Sequence, residues 1–448
     1  MLTETLQGFE LSPQQRRIWS LRQRDIHAAN RGLCVIAVKG ELNPRILAKA
    51  LQNVVDRNEL LRTSFLMLPG MPRPLQVISE ETELAYSHYD LSAQPPTAKQ
   101  ANCTGLINGA AEPDPPEPND AKKPNLCVTH VTLEPGKHML ALTLPALCAD
   151  AVSLCLSAGQ IRQAYICRRD GSKTPDRPVQ YADVAQTLNE CLESDEFDFA
   201  RRLWHERVVK SLAFSDYPFR PATTSFLPRE IRVPVSDSLA AKAGEFCERS
   251  GISREGLLLT CWTLLMGRIA AGEEGVIGVC CDGRTHDVLR ETLGPLSRHL
   301  PFAFQLQRDD SFEHTARVTE ALRLQLADEQ HYFDPAAFNA TEAAAREYDA
   351  CFEYARLSGC SGAGEPVFET ESLSSISNRF AIKLAIFEDE TSLRCQLQYD
   401  LSTISERDAS RAASCFSTLL DSALRRPDAR ASTLMFLRPE EKRAILAG

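Results

Sequence analysis

What this 448-residue chain lacks narrows its class before any motif is read. It has no run of about 18–20 uninterrupted apolar residues, and its amino terminus, MLTETLQGFELSPQQRR, has no basic start leading into an apolar stretch. Neither a membrane span nor a secretory signal is expected, and the sequence reads as that of a soluble, cytoplasmic protein. Positive charge is not in excess either: 50 Lys and Arg stand against 60 Asp and Glu, a net charge of −10. That balance repels a polyanion, so nucleic acid is not an expected partner. There is no CxxC pair; the 15 cysteines are scattered through apolar segments, as at Cys34, Cys148, Cys155 and Cys261. Cys280 and Cys281 are adjacent, a spacing that does not close a tetrahedral zinc site. No structural metal is expected, and free thiols in a reducing compartment fit better than disulfides. No short internal repeat is present.

What remains is ordinary globular composition, 43% hydrophobic and 25% charged, in a chain long enough for two large units. Strand and helix patterns alternate. LCVIAV over 33–38 reads as a strand, and NPRILAKALQNVVDRN over 43–58 as an amphipathic helix behind an Asn cap with proline in its first turn. From 92 to 124 seven prolines punctuate a polar, alanine-rich stretch, expected to be a loop excursion or disordered. Two strands over 126–133 and 138–144 flank a Glu134-Pro135-Gly136 turn. The second meets a helical pattern from Ala151, placing a strand-to-helix junction at 145–151. RRDGSKTPDRP over 168–178 marks the expected boundary between halves. In the second half, 231–235, 275–281, 302–306, 380–387 and 392–399 read as strands, and 236–250, 254–271 and 406–425 as helices. The fold class is α/β.

Two short strings carry more than periodicity. Ser12-Pro13-Gln14-Gln15-Arg16-Arg17-Ile18-Trp19 is a capped helix start with two basic residues before an apolar anchor. Arg57-Asn58-Glu59-Leu60-Leu61-Arg62-Thr63-Ser64-Phe65 closes the amphipathic helix with cations suited to its dipole. Each alone is a helix terminus. In this order they resemble the first two signature strings, SxAQxRLWxL and RHExLRTxF, of the condensation-domain family of nonribosomal peptide synthetases. The resemblance runs on: Tyr181-Ala182-Asp183-Val184-Ala185 is similar to YxDYA. Gly283-Arg284 followed by Leu293-Gly294-Pro295-Leu296-Ser297-Arg298-His299-Leu300-Pro301 is similar to GR…IGxFVNTLP, and the closing LRPEEKRAIL to the linker into an adenylation domain.

The resemblance implies two chloramphenicol-acetyltransferase-like halves, here 1–175 and 176–437, arranged as a V-shaped pseudo-dimer around a central tunnel, with 438–448 starting the linker. It implies carrier proteins as partners, whose phosphopantetheine arms bring thioester-linked donor and acceptor into the tunnel, no directly bound cofactor, and a monomeric excised domain. It also implies an HHxxxDG string at the junction of strand and helix, its second His being the working residue. What stands there is Pro145-Ala146-Leu147-Cys148-Ala149-Asp150-Ala151. Pro145 and Ala146 occupy the positions of the two histidines. A methyl group accepts no proton, so a general-base or positioning contribution of about 10²–10⁴-fold has no carrier at Ala146. Asp150, by resemblance structural, is expected to pair with Arg284.

The same strings hold two candidate substitutes for the lost base. Cys148 sits among Leu147 and Ala149, where an apolar setting raises a thiol pKa, so a structural cysteine is expected, with a nucleophile as the alternative. His299, beside Arg298, is a candidate displaced base. His27, His88, His130, His138, His205, His286, His314 and His331 stand in no paired or metal-ligand spacing in the sequence. Heterocyclisation relatives carry DxxxxD here, and its first Asp position is Pro145; epimerisation relatives also need the second His. The expectation is a condensation-like domain near the start of a synthetase polypeptide, non-catalytic or repurposed as a scaffold and carrier-docking platform beside a following adenylation domain. The alternatives are condensation by proximity or a substitute base, and a free-standing small-molecule acyltransferase.

Overall fold

The computed structural model describes residues 8–24, 31–71, 73–110, 125–194, 225–333, 348–357, 365–389 and 392–437, with a few isolated positions between 197 and 219. The chain forms two compact units. The first comprises Met1–Ser194, Arg284–Ser297 and Arg356–Asn378; the second comprises Asp195–Gly283, Arg298–Ala355 and Arg379–Gly448. The first unit thus runs on to Ser194 and takes in two later segments of the chain. The expected linker, 438–448, lies outside the described residues.

In the first unit, β1 (Gly8–Glu10) leads to α1 (Pro13–Arg24), and β2 (Arg31–Lys39) to α2 (Pro44–Arg57). Asn43 caps α2, its side chain accepting from the Arg45 and Ile46 amides. A short 3₁₀ turn, Glu59–Arg62, then opens β3 (Thr63–Leu66), β4 (Leu75–Ile78) and β5 (Ala85–Asp90). The expected excursion at 92–124 is corrected in its first part: Pro96–Ala110 is a helix, α3. Its prolines stop at the first helical position, where a missing N–H costs nothing, and Cys103 anchors it on Leu91 and Val131. Residues 111–124 lie outside the described set. β6 (Cys127–Glu134) and β7 (Lys137–Pro145) form the hairpin, and α4 (Ala151–Asp170) and α5 (Tyr181–Leu192) follow.

In the second unit come β8 (Pro228–Arg232), α6 (Asp237–Ser250), α7 (Arg254–Ile269), β9 (Glu274–Cys281), β10 (Arg298–Gln305), α8 (Phe312–Glu329) and β11 (Ala350–Arg356). β12 (Val367–Ser374) crosses to the first unit; β13 (Ile382–Glu388), β14 (Leu393–Asp400) and α9 (Glu406–Arg425) complete the second. The first unit holds a five-stranded sheet, β12-β2-β7-β6-β5, and a small one, β1-β4-β3. The second holds a six-stranded sheet, β10-β9-β11-β13-β14-β8. α4 packs on β2, β7 and β12 and against α2. No helix among the described residues is long and apolar enough to cross a membrane.

Strand pairing also corrects the reading of the histidines. His88 is distant in sequence from His130 and His138, which meet across one hairpin, and β5, β6 and β7 bring all three together on one face. His88 and His130 stack with ring centroids 4.2 Å apart, and His130 Nε2 lies 3.2 Å from His138 Nδ1. Tyr86 Oη is 2.8 Å from His130 Nδ1. Burial and the two neighbouring imidazoles hold the His130 pKa down at about 3. Among the described residues no such group meets the geometry of a metal site.

Candidate functional site

The junction after β7 is built by local rules. Leu140, Leu142 and Leu144 bury one face of the strand, and Pro145 ends it. The Cys148 and Ala149 amides then both donate to the Pro145 carbonyl, at 2.8 and 3.1 Å, folding 145–149 into a turn. Asp150 caps α4: its Oδ1 accepts from the Ser153 amide at 2.7 Å and from Ser153 Oγ at 2.7 Å.

The same carboxylate is the anchor of the segment returning from residue 284. Arg284 donates Nη1 to Oδ2 at 2.9 Å and Nη2 to Oδ1 at 3.1 Å, with the two side chains only 3% and 4% exposed. The Leu296 and Ser297 amides and Ser297 Oγ complete the shell of Oδ2 at 3.1, 3.0 and 2.8 Å. Arg284 Nη2 also reaches the Thr292 and Gly294 carbonyls. Burial alone would raise the Asp150 pKa; the charge of Arg284 and the hydrogen bonds from Arg284 and Ser153 outweigh it and hold the carboxyl below its usual range. The pairing expected of Asp150 and Arg284 is present.

The other signature strings converge on this turn. Gln15 donates Nε2 to the Leu147 carbonyl at 3.0 Å and to Gln76 Oε1 at 3.1 Å. Ser12 Oγ lies 2.8 Å from Tyr181 Oη, which donates to the Pro295 carbonyl. Gly294 has φ +153°, and any Cβ there would drive into the Tyr181 ring, so glycine is required. Arg16 donates to Asn189, and the Glu59 amide to Gln180 Oε1.

Ala146 is 5% exposed and belongs to an apolar cluster with Leu11, Ile18, Leu60, Phe65 and Leu296. Cys148 is fully buried in the same cluster. Arg298 and His299 belong to the second unit, both buried on β10. Arg298 donates to the Gln330 carbonyl at 3.0 Å, tying the strand to the end of α8. His299 lies opposite Cys280 in the β9–β10 register.

That register leads to a feature the sequence reading missed. In the parallel β9–β11 pairing Cys351 lies beside Gly278 and Phe352 beside Val279, so one step on Glu353 neighbours Cys280. Glu353 accepts from Lys383 Nζ at 2.8 Å, both side chains being buried, and Lys383 faces Gln398 across β13 and β14. Gln398 is fully buried and neither of its amide atoms has a hydrogen-bond partner among the described residues. A polar band of imidazole, thiol, carboxylate, ammonium and amide thus crosses one sheet face. Its signal in the sequence was faint: single charged residues at inward positions of otherwise apolar strands.

The condensation-domain family model matches residues 6–446, nearly the whole chain. The chain belongs to the condensation-domain family. This condensation domain is 24% identical over 449 residues to bacitracin synthase 2 of Bacillus licheniformis, covering 98% of the chain and 16% of that protein. It therefore spans a small part of the curated relatives it matches. Among solved structures, the condensation domain of the monacolin K polyketide synthase MokA superposes with a TM-score of 0.82 at 15% identity, covering 95% of this chain and 99% of that one. The X-domain from teicoplanin biosynthesis, in its complex with OxyB, superposes with a TM-score of 0.72 at 18% identity, covering 96% of each chain. These likenesses give the domain the chloramphenicol-acetyltransferase-like α/β fold expected from its strings.

Proposed function

We propose that this condensation domain works within a nonribosomal peptide synthetase as a scaffold and docking platform for carrier proteins, without histidine-dependent amide formation. The observation that carries the reading is Ala146. In the standard reaction an amine borne on one carrier attacks the thioester carbonyl of another, and the imidazole at this position assists the reacting nitrogen. A methyl group packed among Leu11, Ile18 and Phe65 has no lone pair to offer. The intact Asp150–Arg284 pair supports a folded platform rather than a decayed enzyme, because a buried carboxylate without its cation is strongly destabilising. The OxyB complex of the teicoplanin X-domain supports recruitment, since there a similar fold holds a separate protein. The partners on this reading are carrier domains with their phosphopantetheine arms and a following adenylation domain.

A second reading rests on His299, a buried imidazole in the polar band of the second unit, acting as substitute base. Proximity alone is worth up to roughly 7–11 kcal/mol in favourable geometries, so condensation without any base is also physically accessible. The test is carrier-loaded donor and acceptor incubated with the domain. Amide no faster than the domain-free background supports the platform, and formation in the Ala146→His variant shows that the remaining site is competent. Amide from the unmodified domain overturns the platform, and its loss in His299→Ala assigns the base.

A further inference from the structure

The sheet of the second unit has two outer edges of opposite character. β8 is a short strand of sequence PREIR, with a proline and three charged residues that blunt pairing. β10 ends the strand order on the other side, and among the described residues no strand lies beyond it. Beyond Pro301, which has no N–H to give, the stretch Phe302–Gln305 carries no charge. Beside it runs a groove of about 530 Å³, within the usual range of ligand clefts, whose far wall is α8. Val318 and Leu322, one helical turn apart, line that wall at 43% and 40% exposure. Glu274 and Asp310 line the groove as well, and neither Lys nor Arg does.

An undefended edge strand across a gap from exposed aliphatic side chains of a helix is the geometry in which proteins accept an added strand. Backbone hydrogen bonds supply affinity, and alternate side chains fill the groove. We infer that this groove binds an extended segment of a partner protein, added as a further strand along Phe302–Gln305. Its aliphatic residues alternate against Val318 and Leu322, and a lysine or arginine meets Glu274 and Asp310. The inference is independent of whether the domain forms amides.

A fluorescein-labelled hexapeptide, lysine followed by alternating valine and threonine, is titrated into the full chain by fluorescence anisotropy. Saturable binding is expected, with Leu322→Asp weakening it at least tenfold. Glu274→Lys should shift preference to the same peptide carrying glutamate in place of lysine. Methylation of alternate peptide amides should abolish binding, and bound peptide should slow amide hydrogen exchange at 302–305. Leu322 lies outside the buried core at 40% exposure, so its variant keeps its fold, which a melting curve verifies. Three results overturn the inference: no saturable binding up to millimolar peptide, equal binding by the methylated peptide or by Leu322→Asp, or a dimer in sedimentation that the peptide does not displace, which would make the groove a contact between copies of this chain.

Discussion

Replacing Arg284 by methionine tests the structural argument at its centre. The Asp150 carboxylate keeps its bonds from Ser153, Leu296 and Ser297 in the variant but loses both guanidinium contacts and the compensating charge. Breaking a buried pair by removing one partner costs about 3–5 kcal/mol. At about 2–4 °C per kcal/mol for a unit of this size, the first unit should melt roughly 10 °C lower. Asp150→Asn should cost less, since Arg284 retains Ser153 Oγ and two carbonyls as acceptors. The double variant should be more stable than Arg284→Met alone, because it buries no unpaired carboxylate. The pH dependence follows from the same pair. A carboxyl whose folded pKa is lowered contributes stability that is complete above its unfolded value and is lost as pH falls through the folded one. Without Arg284 burial raises the Asp150 pKa instead, so the Arg284→Met loss should be greatest near neutral pH and shrink as acid protonates the carboxyl. Thermal unfolding of the two singles and the double between pH 3 and pH 8 is the assay. Strictly additive losses, or an Arg284→Met loss under about 1 kcal/mol, would refute the account.

Three further outcomes are expected. His130, neutral when folded with a pKa of about 3 against 6.5 in the unfolded chain, makes folding tighter above pH 6.5 and weaker as pH falls below it. At pH 5 the loss is about 2 kcal/mol, and a His130→Phe variant whose melting point falls as steeply with acid as the parent's contradicts this. Gln398→Leu removes two unsatisfied amide atoms, each costing about 1–3 kcal/mol, and should raise the melting temperature; a decrease would mean that the amide has a partner. Gly294→Ala should cost about 3 kcal/mol from the left-handed backbone and the Tyr181 clash, measured by urea unfolding, and a neutral result is incompatible with the packing described.

The parts legible in the sequence were those fixed locally. The cap at Asn43, the periodicity of 406–425 and the Glu134-Pro135-Gly136 turn each depend on neighbouring residues, and they gave α2, α9 and the β6–β7 hairpin. The Asp150–Arg284 pair was reached only through resemblance, since 134 positions separate its members. The Ser153 share of the network had a local signal, a serine three residues after the capping Asp. α3 was misread because clustered prolines on both sides masked a helix-compatible interior. The histidine cluster and the Glu353–Lys383–Gln398 band were hidden because strand register alone assembles them.

β12 pairs with β2 along its whole length although more than 300 residues lie between them, and Arg284 reaches Asp150 across 134 positions. A ribosome must therefore translate past residue 374 before the first sheet acquires its last strand. Until then the nascent amino-terminal part carries an open β2 edge, and before residue 284 emerges also an uncompensated acid at the head of α4. Fragments ending at the first unit's last early residue, Ser194, should be recovered as chaperone-bound or insoluble material, and supplying 284–378 in trans should rescue them.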